Sequence, residues 1–183
     1  RGPQNPDDGI PLKEFGQLPV VKDGRHQPMD SLARNSLLIL RKKQTLNQEP
    51  WKGNFDKPKI VPAIDWMMEL MMLPAVADTR PCFRIDNDDL KNLLQVPREA
   101  GEAGQTDGKH YSWNQIVAHY DPFRAETQRA SGVKQELRNA YERALMDLWE
   151  ATGVYKSLRA TLGPAGTGDL AAGRAGDYSA GSG

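Results

Sequence analysis

The stretch that decides the fold runs from Leu18 to Leu40, LPVVKDGRHQPMDSLARNSLLIL. Val20 and Val21 are β-branched and lead into Asp23-Gly24, a pair that favours tight turns. The apolar period then changes. Leu32, Ala33, Leu37 and Leu40 recur at helical spacing, and Leu38 and Ile39 widen the stripe. The segment predicts a short hairpin or strand pair whose second arm is limited by Pro28. A helix over about residues 30–43 follows, with Asp30 or Ser31 as N-cap. Arg41, Lys42 and Lys43 fall at its C-terminal end, where the helix dipole favours cations.

Asp23, Arg25, His26, Asp30 and Arg34 crowd around this helix start. Turn chemistry accounts for Asp23, and capping accounts for Asp30. Arg25 and Arg34 are left over. Each is a planar five-donor group suited to carboxylates. They can face inward, as an Arg–Asp pair fixing the turn against the helix, or outward, toward a partner. His26 stands beside them as a third candidate, with an ordinary turn histidine as its simpler reading.

Outward from this segment, residues 1–16 carry three prolines and little periodicity, and read as an extended arm. Residues 44–62 read as a loop punctuated by Pro50, Gly53, Pro58 and Pro62. AIDWMMELMML, residues 63–73, predicts a helix that is apolar nearly all round, with Asp65 and Glu69 alone charged and sharing a face at i,i+4. Such a helix is buried or covered, so Trp66, Met67, Met68, Met71 and Met72 are candidates for core or for a partner-binding face. Paired methionines can also ligate soft metals, a reading that burial outweighs.

CFRID at 82–86 alternates like a short strand. NDDLKNLLQV predicts a short helix capped by Asp86 or Asn87 and ended by Pro97. Residues 98–109 read as a polar loop. YSWNQIVAHY opens a helix with a Ser112/Gln115 capping box. Asp121-Pro122 suggests a fresh helix start. The helical pattern then runs to about Leu162, with a stripe of Leu137, Ala140, Tyr141, Ala144, Leu145 and Leu148 and breaks at Gly132 or Gly153. Residues 163–183 are Gly/Ala/Ser-rich and read as a tail or linker. The expectation is a mostly α chain: one domain over 17–162, about five helices, and a short N-terminal β-hairpin or strand pair.

Composition bounds the function. The 183 residues hold 24 acidic and 24 basic side chains, so there is no electrostatic footprint for nucleic acid. The single cysteine, Cys82, excludes an internal disulfide and a CxxCH haem attachment, and reads as a small buried hydrophobe. No apolar stretch reaches the roughly 18 residues of a membrane helix. The first residue is Arg1 and no signal-peptide pattern follows, so the chain is expected to be part of a longer polypeptide. The three histidines, His26, His110 and His119, lack zinc-hydrolase spacing. Neither a phosphate loop nor a catalytic triad can be located, and no metal site is expected.

Leu18, Pro19, Val20, Gly24, Arg25, Pro28, Asp30, Ser31, Leu32, Ala33 and Arg34 together form LPV…GR…P-x-D-S-L-A-R. This pattern resembles an extracytoplasmic domain attached to ResB/CcsA-type (system II) cytochrome c biogenesis proteins. Trp66, FRIDNDDLKNLL and YSWNQI are similar in kind and order, so the resemblance spans about residues 17–120. The family's tryptophan-rich haem-handling segment is absent, and its membrane helices are too. The resemblance therefore implies an accessory domain on the periplasmic, extracytoplasmic side, membrane-associated through segments outside this chain. It carries over no catalytic residue, and no catalytic activity or cofactor is expected of this chain alone, with haem belonging to the full assembly. Its implied partners are a membrane-embedded cytochrome c synthase subunit or domain and apocytochrome c. Arg25, His26, Asp30 and Arg34 become candidates for binding a partner or a haem propionate. The alternatives are a structural subunit of a membrane electron-transfer assembly and a stand-alone extracytoplasmic metal or haem carrier or enzyme.

Overall fold

A computed structural model of the chain describes residues 12–22, 24–52, 57–101 and 106–162. Residues 1–11, Asp23 and the tail from 163 lie outside the described residues, and so do the expectations placed on them. The fold is mostly helical with an N-terminal antiparallel hairpin, as the pattern around Leu18–Leu40 predicts.

The chain first forms a short helix, α1 (Leu12–Gln17), and not an extended arm at these positions. Phe15 is the reason: it is buried in the core. Gly16 faces Asp30 and Ile64 at ordinary contact distance, where a Cβ would sit 3.4 Å from the Cβ of Asp30 and 3.7 Å from Ile64. Strands β1 (Pro19–Lys22) and β2 (Arg25–Pro28) pair with Val20 opposite Gln27 and Val21 opposite His26. Gly24 turns between them at φ +74°, a backbone conformation natural to glycine.

Helix α2 (Met29–Arg41) starts one residue earlier than expected. Its N-cap is Pro28, and neither Asp30 nor Ser31 caps it. The Met29 N–H is instead satisfied by the Leu18 carbonyl at 3.0 Å, which ties the hairpin to the helix start. The expected 44–62 loop contains a second strand pair, β3 (Thr45–Asn47) with β4 (Ile60–Pro62). Leu46 is wholly buried there, and that burial outweighs the loop-like prolines.

Helix α3 (Ala63–Met72) follows at its expected place and turns at Leu73 into the short α4 (Pro74–Ala77). A two-residue strand, β5 (Phe83–Arg84), lies within CFRID. Asn87 is the cap of α5 (Asp88–Leu94), its side chain accepting from the Leu90 N–H at 3.0 Å. Strand β6 (His110–Tyr111) pairs with β5. The Ser112/Gln115 capping box opens α6 (Trp113–Val117) as predicted.

Helix α7 (Tyr120–Ser131) begins at Tyr120, so Asp121 lies inside the first turn and is not its cap. The chain breaks at Gly132 but runs through Gly153 without interruption. Leu137 leaves the predicted stripe: it sits in a 3₁₀ turn (Gln135–Leu137) and is 71% exposed. The last helix, α8 (Ala140–Leu162), spans 23 residues and packs on α2, α3, α5 and α7. Its Leu145, Leu148, Ala151, Tyr155 and Leu158 enter the core. The described residues thus hold eight α-helices, more than the expected five, because short helical turns fill the connections.

One polar hub lies inside this packing. Asp78, just after α4, accepts a hydrogen bond from the Tyr155 hydroxyl at 2.8 Å and pairs with Arg159 at 3.0 Å. The Tyr155 ring contacts Phe83 edge-on at 5.3 Å and stacks on Trp113 at 5.4 Å between centroids. These contacts join α8 to the α4 corner, β5 and α6.

Candidate functional site

The signature segment folds over a cleft of about 500 Å³ where three helices meet. Lys13 and Gln17 of α1 form one wall, Asp30, Ser31 and Arg34 of α2 a second, and Ile64 and Asp65 of α3 the third. Both α2 and α3 begin here with a proline as N-cap and no side-chain cap. Their first-turn amides and dipoles therefore favour the carboxylates that stand there, Asp30 and Asp65.

Arg34 Nε lies 2.8 Å from Asp30 Oδ2, one helical turn away, with side-chain exposures of 55% and 35%. The pair is a surface ion pair on the cleft wall. It does not pin the hairpin to the helix, because both partners belong to α2. Asp65 differs. Its Oδ1 is buried and has no hydrogen-bond partner among the described residues. Burial raises its carboxyl pKa above the ordinary value. The cleft thus offers a balanced mixture, Lys13 and Arg34 against Asp30 and Asp65, with one acceptor still waiting for a donor. That chemistry suits a polar side chain or small ligand presenting N–H or O–H groups.

Arg25 and His26 are not brought into this cleft. Both are exposed on β2. Arg25 lines a separate shallow depression with Lys22, Gln27 and Asn35, which shares no residue with the cleft. The two arginines that the sequence leaves over therefore face different surroundings.

The methionine helix also divides. Trp66 and Met67 are wholly buried, which places them in the core, the first of the two readings offered for this helix. Met68 and Met71 are partly buried against that core. Met72 is 60% exposed and continues into exposed Leu73 and Val76 at the α3–α4 corner. Glu69 forms a two-pronged pair with Arg80, at 2.9 Å and 2.6 Å.

Two polar features elsewhere escape the sequence reading. Arg41 is 3% exposed, and its Nε and Nη1 have no partner among the described residues. A signal for it exists: Arg41 continues the buried i,i+4 row of Ala33 and Leu37. The second is Asp107, whose Oδ2 lies 2.6 Å from His110 Nδ1. Its Oδ1 accepts the N–H groups of Lys109 and His110. Burial alone would raise the Asp107 pKa, but the side-chain and backbone hydrogen bonds of His110 and Lys109 outweigh it and bring the group to about 2. The spacing D-x-x-H in a polar loop gives little warning of this turn.

No three-residue His/Cys/Asp/Glu cluster that could hold a metal ion occurs among the described residues. No helix among them is long and apolar enough to cross a membrane. No protein-family model matches the chain, and neither a curated protein nor a solved structure matches it.

Proposed function

We propose that this chain is an accessory extracytoplasmic domain of a cytochrome c assembly protein, acting by binding and positioning its partners. One observation supports the reading best. The Leu18–Arg34 signature folds as a hairpin tied by its Leu18 carbonyl to the first amide of α2. That unit presents Arg25 and His26 outward and sets Asp30 and Arg34 on the wall of a polar cleft. Turn and helix formation account for the glycine and the prolines, but neither requires exposed arginines at both places. A guanidinium held outward on a short hairpin is suited to a carboxylate of the membrane-embedded synthase subunit, of apocytochrome c or of a haem propionate. Exposed Met72 and Leu73 supply an adaptable apolar contact nearby in sequence to the cleft wall of α3.

The test uses the full-length protein in its own cell. Arg25→Ala/Arg34→Ala is introduced, its level checked, and covalently haem-stained c-type cytochromes quantified. A loss of at least severalfold at unchanged protein level is expected. Normal haem attachment by a double variant at the wild-type level overturns the docking role, and normal attachment after in-frame removal of residues 12–162 overturns the functional reading as a whole.

A further inference from the structure

Asp65 stands half-buried in the wall of the signature cleft, and its charge goes unanswered. Its Oδ1 is buried without a hydrogen-bond partner, and no lysine, arginine or histidine among the described residues pairs with it. The other charges of the cleft do not cancel it. Asp30 and Arg34 answer each other at 2.8 Å along α2. Lys13 is exposed on α1. Burial raises the Asp65 pKa, and no nearby cation offsets that rise. Glu69, one turn further along α3, shows the contrast: Arg80 holds it with two prongs, at 2.9 Å and 2.6 Å.

A partly desolvated carboxylate without a counter-charge burdens the free chain, and an incoming cation relieves it. The cleft also has room for what carries that cation. Its volume is about 500 Å³, and Pro28, Pro62 and Ile64 line it beside Asp65. A long basic group lays its aliphatic stem along apolar surface of this kind and keeps its head for a charged partner. A neutral hydrophobe leaves Asp65 unanswered, and an anion is repelled by it.

We propose that the cleft binds a primary ammonium on an aliphatic stem, its head on Asp65 and its stem on Pro28, Pro62 and Ile64. An ammonium is a compact donor that can approach a carboxylate with one oxygen shielded, whereas a guanidinium fork needs both oxygens presented together. A lysine side chain of a partner polypeptide and a free alkylamine share this chemistry. The inference rests on the docking reading in taking this face as a contact surface, but its evidence is Asp65, which that reading does not use.

The test is an NMR titration of the isotopically labelled intact chain with Nα-acetyl-lysine methylamide, beside its neutral norleucine analogue and pentylamine. Saturable shifts at the amides of Asp30, Ile64 and Asp65 are expected, with the norleucine analogue at least about tenfold weaker. Tighter binding of the blocked lysine than of pentylamine assigns the site to a polypeptide side chain, and the reverse assigns it to a free amine. The titration of the Asp65 side-chain carboxyl carbon moves to lower pH when the lysine analogue is bound, because a cation favours the ionised form. Asp65→Asn, of nearly the same size, removes the binding. Arg34→Ala keeps it, so this site and the haem-attachment role of the arginines can fail separately. No saturable shift with either amine, or equal binding of the norleucine analogue, overturns the proposal. Wild-type binding by a folded Asp65→Asn, or an Asp65 titration unmoved by saturating lysine analogue, overturns the contact with Asp65.

Discussion

Asp30 and Asp78 each meet an arginine, yet the two regions they anchor are built on opposite principles. Asp30 pairs with Arg34 one turn along the same helix, and both side chains are substantially solvated. Asp78 is buried and joins Tyr155, 77 residues away in the chain, as well as Arg159. The first arrangement is local and leaves its chemistry available to a partner. The second is long-range and buried at Asp78 and Tyr155, with only Arg159 reaching solvent. Charge that is conspicuous in the sequence is therefore not the charge that holds the fold, and variants in the two regions should behave differently.

Tyr155→Ala should show the largest effect. The ring is wholly buried against Trp66, Phe83 and Trp113, and truncation leaves a cavity as well as lost transfer energy. A loss of about 3–5 kcal/mol in chemical denaturation is expected. Cys82 provides an independent readout, since burial pushes its thiol pKa up and shields it from reagent in the folded chain. Its labelling by a thiol reagent should accelerate as this core opens. A loss below about 1 kcal/mol would mean that the aromatic hub is not what joins α8 to the rest.

Asp78→Ala comes next. It leaves the Tyr155 hydroxyl buried without its acceptor and Arg159 without its partner, and about 2–3 kcal/mol should be lost. Tyr155→Phe keeps the ring and removes only the hydroxyl, so about 1 kcal/mol is expected. A double-mutant cycle between the two sharpens the comparison, because a coupling near zero would reduce Asp78 to a surface-like pair.

Asp107 lies between the two extremes, half-buried but built from a local turn. Its folded pKa of about 2 lies below the ordinary 3.8. The unfolded chain therefore binds a proton more readily than the folded one. The stabilisation is complete above about pH 4 and is lost as pH falls toward 2. Asp107→Asn should flatten that part of the stability–pH curve, and at neutral pH it should cost no more than about 2 kcal/mol. An unchanged acid slope would show that the turn, and not its charge, matters at this position.

The hairpin, α2, α3, α5 and the α6 capping box are legible because each rests on short-range physics: a turn pair, a period of 3.6, or a cap three residues from its partner. The β3–β4 pair is illegible because Leu46 earns its place only through contacts with α2 and α3. Leu137 misleads for the converse reason, being periodic yet outside the packed stretch of α8. At the site, the sequence singles out Asp30 and Arg34 but not Asp65 as the unpartnered acceptor across the cleft, since that placement needs α2 and α3 side by side. Arg41 is hidden by the helix-dipole rule, which explains a terminal arginine without asking whether it is buried.

Arg34→Ala should have the smallest effect on stability. An exposed i,i+4 pair contributes about 0.3–0.5 kcal/mol at best, and salt screens it further. Arg25→Ala, on an exposed strand position, should change the denaturation midpoint still less. This near-silence gives the pair its use. A double variant as stable as the wild type that nonetheless lowers haem attachment in cells would locate the function in the surface charges themselves. A double variant that loses more than about 1 kcal/mol would instead break the contrast with Asp78. It would make the Asp30–Arg34 pair part of what holds α2 against α1 and α3, and any fall in haem attachment would then follow from the damaged fold.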